Sequence, residues 1–221
     1  ITWEDKEAVQ RCLDRIEKYE KIDFKGIMAH AGNTYKVVGP SIQEKQQQIL
    51  AIHQVSIDRL NTVLDYFPTM GDDFVISYGD TPSCSLAERF GPVTELRPGN
   101  FVFYDRMMVD LGVCQPRDVA LSMYCPVIGI NSSRNEIVVH GGGVHFSKDS
   151  FSHEGQPIYG QLVQSYSRGW GDLIEEAFLT GLSQEHGTLQ MTNSSAFRRI
   201  GVSDVLSFMP IHSCLTADCM G

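Results

Sequence analysis

Two side chains of the kind that bind metal ions lie near the end of the sequence, in the segment Pro210-Ile211-His212-Ser213-Cys214. If this segment is a strand, His212 and Cys214 face the same side, because residues two apart share a face. Imidazole and thiolate together suit a borderline-soft cation such as zinc, and two protein ligands leave the site open. The same spacing also fits a small buried cysteine beside a hydrogen-bonded core histidine.

A glycine-containing loop, Gly79-Asp80-Thr81-Pro82-Ser83, follows the predicted strand 74–78. Its backbone N–H groups and the hydroxyls of Thr81 and Ser83 could bind a phosphate at the C-terminal edge of an α/β sheet. A simple turn is the alternative.

Polar side chains also follow the predicted strand 24–30, namely His30, Asn33 and Tyr35. They would lie at the same edge of the sheet, where α/β enzymes place site residues. A structural histidine at a strand end and a half-buried phenol are the alternatives.

Two further segments have several possible roles. In Ser183–Gly187, Glu185 stands beside His186, which could support a metal or act in acid–base chemistry, or could be a solvated turn. The run Gly141-Gly142-Gly143 lacks the spacing of a dinucleotide-binding loop and instead predicts a close crossing of two backbones.

Alternating elements in the first part of the chain would position these residues. Apolar periodicity predicts helices over 3–19 and 41–67, the second begun by Ser41 as N-cap, and strands over 24–30 and 74–78. Short β-type runs at 100–104, 120–130 and 136–140 follow after Gly91. We therefore predict an α/β part over 1–92 and a mainly β domain over 93–221.

Composition narrows the possible partners and setting. The chain has 221 residues, 42% of them hydrophobic, and a net charge of -9 with scattered basic residues, so neither nucleic acid nor an anionic membrane is an expected partner. The six cysteines form no C-x-x-C pair and no dense disulfide framework. We expect a cytoplasmic setting, and both chain ends look like cut points within a longer protein.

Five ordered segments resemble the D-serine dehydratase / D-threonine aldolase-like family of pyridoxal 5'-phosphate (PLP) enzymes. They are GIMAHAGNTY at 26–35, ISYGDTPSCS at 76–85, VTELRPGNFVFYD at 93–105, LSQEHG at 182–187 and PIHSCLT at 210–216. The resemblance implies part of an alanine racemase-like (β/α) barrel followed by a mainly β domain with a metal site, and a homodimer.

The resemblance also implies roles for particular residues. It places Tyr35 near the cofactor's pyridine nitrogen, Gly79, Asp80 and Thr81 in the phosphate-binding loop, and zinc on His212 and Cys214. Asp80 departs from the family's usual loop sequence. The Schiff-base lysine of the family lies upstream of all matching segments, so we expect no catalytic lysine in this chain.

The implied activity is a PLP- and zinc-dependent lyase acting on D-3-hydroxy amino acids, converting D-serine to pyruvate and ammonia. Cysteine in place of the aspartate that is usual in the aldolase branch favours dehydration, because thiolate is a soft ligand. Aldol cleavage to glycine and an aldehyde, a non-enzymatic metal-binding role and an amino-acid racemase are the alternatives.

Overall fold

The computed structural model describes residues 2–67, 71, 73–166 and 169–221. The chain divides into two compact units, Ile1–Gly99 and Asn100–Gly221. The boundary expected between residues 92 and 93 stays a prediction. In the described part of the chain, every helix is too short or too polar to cross a membrane.

The first unit contains helices and a small sheet. A single turn of 3-10 helix covers Gly32–Lys36, and the other elements are α1 (Lys6–Ile16), β1 (Gly26–His30), α2 (Ile42–Leu64), β2 (Val75–Gly79), α3 (Thr81–Leu86) and β3 (Glu95–Leu96).

A parallel sheet with the order β1-β2-β3 organises the first unit. Helix α2 begins where its sequence predicts, since the Ser41 side chain accepts a hydrogen bond from the Glu44 backbone N–H at 3.2 Å. The helix contributes Ile57 and Leu60 to a core shared with Tyr78 of β2. The predicted strand–helix–strand arrangement is confirmed.

The second unit is mainly β. Turns of 3-10 helix cover Gly99–Val102, at the start of the unit, and Pro116–Asp118; the other elements are α4 (Arg106–Asp110), β4 (Met123–Asn131), β5 (Glu136–His140), α5 (Gly143–Phe146), β6 (Phe151–His153), β7 (Gln156–Ile158), β8 (Gly160–Tyr166), β9 (Gly169–Leu182), β10 (His186–Met191), α6 (Ser194–Phe197), β11 (Val205–Pro210) and α7 (Ser213–Cys219).

Six strands of this unit close into an antiparallel barrel with the order β10-β5-β4-β11-β8-β9. Alternate residues of β5, Ile137 and Val139, point into its core, which they fill together with Leu179 and Leu189. The predicted fold class, α/β followed by a mainly β part, is confirmed.

The triple-glycine run crosses a neighbouring chain segment closely. A Cβ atom on Gly142 would lie 2.5 Å from the backbone nitrogen of His186, closer than a Cβ atom can approach another residue. The predicted backbone crossing is therefore confirmed.

Three local predictions were wrong. The predicted β-run 100–104 is a 3-10 turn, and Tyr104 after it has φ 49°. The loop at Gly79–Ser83 includes the start of helix α3. The segment Pro210–Cys214 leaves its strand at Pro210 and becomes helical at Ser213.

Candidate metal centre and cofactor loop

His212 and Cys214 lie where strand β11 gives way to helix α7. The strand ends at Pro210, Ile211 is 1% exposed, and His212 is the N-cap residue of α7 with extended backbone angles. Cys214 lies in the first turn of the helix. The strand alternation that was expected to align the two side chains is therefore absent, and their positions follow from a strand-to-helix turn.

The His212 ring is oriented by a carboxylate. Its Nδ1 atom lies 2.6 Å from Oδ2 of Asp149, and a carboxylate only accepts hydrogen bonds, so Nδ1 carries the hydrogen. The lone pair then resides on Nε2, which is the atom left to bind a cation. Histidine metal ligands commonly have this arrangement.

The Cys214 thiol is half-buried and contacts an amide. Its Sγ donates to Oδ1 of Asn100 at 3.4 Å. Burial, followed by the negative charge of Asp105, raises the pKa of the Cys214 thiol. A bound cation would favour the thiolate against both effects.

Asp105 is a buried carboxylate beside this turn, with 1% of its surface exposed. Burial raises its pKa, while hydrogen bonds from Met108, Asn100 and Ser213 and the charge of His212 oppose that rise. The turn thus combines an imidazole, a thiol and a neighbouring acid in one small volume.

The described residues contain no group of three or more His, Cys, Asp or Glu side chains arranged to hold a metal. A cation bound by His212 and Cys214 would complete its coordination with water or substrate oxygen. Open coordination of that kind is characteristic of catalytic metal sites.

In the first unit, the loop after β2 is shaped by Asp80. Its carboxylate is 1% exposed and accepts hydrogen bonds from the Ser83 backbone N–H at 2.7 Å and from the Thr34 hydroxyl at 2.9 Å. It therefore caps helix α3 and faces the protein interior. The Ser83 hydroxyl also bonds to Asp80 and lies 2.9 Å from the Tyr78 hydroxyl, so it is committed to the interior.

Tyr35 and Thr81 are brought together at this loop. The Thr81 backbone N–H donates to the Tyr35 hydroxyl at 3.1 Å, so an amide and a phenol lie side by side at the loop, and a phosphate oxygen could accept from that N–H by replacing the phenol oxygen. The His30 ring stacks with Tyr35 at a centroid distance of 6.3 Å. Asn33 is exposed on the neighbouring 3-10 turn.

Gly79 has a packing reason to be glycine. A Cβ atom there would lie 2.6 Å from the backbone oxygen of Arg97. Separately, the contacts of Tyr35 with Thr81 and with His30 bring these three residues together at the edge of the sheet.

The Ser183–Gly187 segment forms the turn between β9 and β10. The Ser183 backbone N–H donates to the His186 carbonyl at 2.9 Å, and Glu185 is exposed. The His186 ring lies 6.1 Å from that of His140. These contacts favour the turn interpretation.

Three residues around the candidate metal ligands were missed by sequence reasoning. Asn100 and Asp105 belong to the ELRPGNFVFYD segment, so that segment was the available signal. Asp149 had no such signal, because its partner lies 63 residues away along the chain.

Residues 120–221 match the family described as "Putative serine dehydratase domain". The D-threo-3-hydroxyaspartate dehydratase of Delftia sp. (strain HT23) is 31% identical over 198 residues, covering 86% of this chain and 50% of that protein. The D-serine dehydratase of Dictyostelium discoideum is 28% identical over 212 residues, covering 91% and 50%. The chain spans about half the length of the curated relatives it matches.

Solved structures of similar proteins have the same fold as this chain. The D-threo-3-hydroxyaspartate dehydratase from Delftia sp. HT23 superposes with a TM-score of 0.79 at 27% identity, over 99% of this chain and 57% of that one. An alanine racemase-like protein from Idiomarina loihiensis has the same fold, with a TM-score of 0.76 at 24% identity, over 99% and 56%. The resemblance to the D-serine dehydratase-like family and the predicted fold are therefore confirmed.

Proposed function

We propose that this chain belongs to the D-serine dehydratase-like family and that the whole protein is a PLP- and zinc-dependent dehydratase of D-3-hydroxy amino acids. The observation that carries the proposal is the His212 ring, oriented by Asp149 at a strand-to-helix turn two residues before Cys214. D-Serine and D-threo-3-hydroxyaspartate are the substrates that the relatives' names suggest.

The donor set fits a zinc ion. His212 offers Nε2, Cys214 offers a thiolate, and the neighbouring carboxylate of Asp105 adds negative charge. Support also comes from two solved variants of D-threo-3-hydroxyaspartate dehydratase. In one, described as metal-free, a cysteine is replaced by alanine, and in the other a histidine two positions earlier is replaced by alanine. The spacing matches that of His212 and Cys214.

The loop of the first unit fits a phosphate group in part. The Thr81 N–H lies against the Tyr35 hydroxyl, which accepts from it, and Gly79 lets the chain approach Arg97 closely because it has no side chain. The Asp80 carboxylate is buried and held by Thr34 and Ser83, so it acts as a cap of α3 and is not itself a donor to a phosphate. We propose that Gly79, Asp80 and Thr81 form the phosphate-binding loop and that Tyr35, which contacts Thr81, lies beside it near the pyridine nitrogen of PLP, with His30 and Asn33 as neighbouring residues.

When bound, PLP would supply an electron sink for charge at the substrate Cα, and zinc would supply Lewis acidity toward the β-hydroxyl. The residues of this chain would hold these two groups and orient them. Asp149 keeps the hydrogen of His212 on Nδ1, so that Nε2 faces the cation. Cys214 gives up its proton on metal binding, which makes zinc affinity depend on pH.

Two observations favour dehydration over aldol cleavage as the reaction of this protein. A thiolate ligand selects zinc over magnesium or manganese, whose preferred ligands are oxygen atoms. The relatives at 28% and 31% identity are both named dehydratases. We propose further that the protein acts as a homodimer in the cytoplasm, and the six cysteines, all free of disulfides, are consistent with a reducing compartment.

Product analysis of the whole protein tests the proposal. PLP-loaded protein would be incubated separately with D-serine, D-threo-3-hydroxyaspartate and D-threonine, and the products identified by mass spectrometry. We expect 2-oxo acids and ammonia from at least one of the first two. Glycine with an aldehyde would indicate the aldolase, L-enantiomers would indicate a racemase, and no product from any substrate would contradict an enzymatic role.

A further inference from the structure

Behind the two candidate metal ligands lies a buried pair of polar side chains, Asn100 and Asp105. Asn100 is 7% exposed and Asp105 is 1% exposed. The Asn100 amide Nδ2 donates to Oδ2 of Asp105 at 2.6 Å. Buried polar groups are costly unless they are hydrogen-bonded, so a pair so fully bonded needs a structural or functional reason.

The two carboxylate oxygens of Asp105 serve different elements. Oδ1 accepts from the Met108 backbone N–H at 3.0 Å, which caps helix α4. Oδ2 accepts both from Asn100 and from the backbone N–H of Ser213 at 3.2 Å. Capping therefore accounts for only one oxygen, and the other is directed at the residue between His212 and Cys214.

Asn100 in turn reaches one of the candidate ligands directly. Its Oδ1 accepts from the Cys214 thiol at 3.4 Å, while its Nδ2 is fixed by Asp105. Because Nδ2 is fixed by the carboxylate, the amide presents oxygen, and not nitrogen, to the sulfur. The backbone at Ser213 and the side chain at Cys214 are thus both tied to one buried pair.

We propose that Asn100 and Asp105 are positioning residues of the candidate metal centre. Asp105, fixed by Asn100, holds the Ser213 backbone between the two ligands, and Asn100 holds the Cys214 thiol in place until a cation replaces its proton. This inference rests on the proposed function, since it assumes that His212 and Cys214 bind zinc. It also explains why the pair lies within the ELRPGNFVFYD segment, more than a hundred residues before the ligands it supports.

Zinc affinity tests the inference without using activity. The whole protein would be stripped of metal and titrated with zinc against a chromophoric chelator, as wild type and as Asn100→Ala. We expect Asn100→Ala to bind zinc about 10–100-fold more weakly, the usual effect of removing a group that orients a metal ligand. The thermal midpoint of the metal-free variant should stay within a few degrees of wild type.

A matched control separates positioning from general loss of an asparagine. Asn193 caps helix α6 in the same unit by accepting from the backbone N–H groups of Ser195 and Ala196, both at 3.1 Å. Asn193→Ala should leave zinc affinity unchanged. Wild-type affinity in a folded Asn100→Ala protein would overturn the inference.

The isosteric variant Asp105→Asn covers the case in which Asn100→Ala does not fold. The amide has one oxygen, which cannot accept both from the Met108 N–H at the α4 cap and from the Ser213 N–H at the candidate metal centre, so we again expect weaker zinc binding. Loss of fold in both variants would also overturn the inference, because Asn100 and Asp105 would then be needed for folding and not for positioning the metal ligands. If wild type itself binds no zinc, the proposed function fails first, and the two failures are distinguishable.

Discussion

Oδ2 of Asp149 lies 2.6 Å from Nδ1 of His212, and this contact decides which nitrogen of the ring can bind a cation. Asp149 is half-exposed and lies between α5 and β6, whereas His212 opens α7. The barrel therefore joins two distant segments at the candidate metal centre, which a sequence pattern of local spacing does not reveal.

Asp149→Ala should weaken zinc binding. Without the carboxylate, the His212 ring loses the acceptor that keeps its hydrogen on Nδ1, and we expect a loss of about 10–100-fold in zinc affinity. Asp149→Asn keeps an oxygen acceptor and should recover part of it. Asp172→Ala, which removes another exposed carboxylate of the same unit, is the control. Equal zinc affinity in Asp149→Ala and Asp172→Ala would show that the contact has no role in binding.

Local signals predicted much of the fold. Ser41 caps α2 as its sequence indicates, and strand β5 has the predicted bounds Glu136–His140. The β-run expected at 100–104 failed because aromatic and β-branched residues favour strands only when sheet neighbours are available. Here the contact of Asn100 with Asp105 holds a tight turn instead.

The candidate site was less predictable than the fold. Helix α7 covers only Ser213–Cys219, too short a segment for helical periodicity to be distinguished from a strand. The metal-binding role of His212 and Cys214, chosen by residue type and by resemblance, therefore stays a prediction, and only the strand geometry expected for them was wrong. The contacts of Asp80 were likewise not predictable, because its carboxylate caps α3 and accepts from Thr34, which lies 46 residues earlier in the chain.

Gly79→Ala should destabilise the first unit. The new Cβ would lie 2.6 Å from the backbone oxygen of Arg97, so strand β2 or the segment after β3 must move. We expect the free energy of unfolding to fall by about 1–3 kcal/mol, as overpacking usually costs. Gly99→Ala, whose Cβ would have no neighbour within 4 Å, is the control, and both can be compared by urea denaturation. A larger loss in Gly99→Ala would contradict the close approach.

Asp80→Ala should cost more stability than the loss of an exposed cap. The change removes the N-cap of α3, worth about 1 kcal/mol, and also leaves the buried hydroxyls of Thr34 and Ser83 without this acceptor. Asp5→Ala removes the exposed cap of α1, where Asp5 accepts from the Ala8 N–H at 2.8 Å. We expect Asp80→Ala to lower the free energy of unfolding by about 2 kcal/mol more than Asp5→Ala does. Equal losses would mean that Asp80 acts only as a cap.

Cys125 should resist alkylation while the protein is folded. Burial raises the pKa of its thiol to about 12, so at pH 8 a smaller fraction is thiolate than in a free cysteine, and the side chain is 1% exposed. Cys12 and Cys219 are exposed and should react first with iodoacetamide, as followed by peptide mass spectrometry. In urea all three should react alike. Rapid labelling of Cys125 in the native protein would contradict its place in the barrel core.

Zinc content measured alongside turnover tests the central claim most directly. Whole, PLP-loaded protein would be prepared as wild type, His212→Ala and Cys214→Ala, and each assayed for bound zinc and for 2-oxo acid release from D-serine and D-threo-3-hydroxyaspartate. The account predicts stoichiometric zinc and turnover in wild type, turnover that disappears on chelation and returns with added zinc, and loss of both properties in the two variants. Full turnover in metal-free wild type, or unchanged zinc binding in both variants, would contradict it.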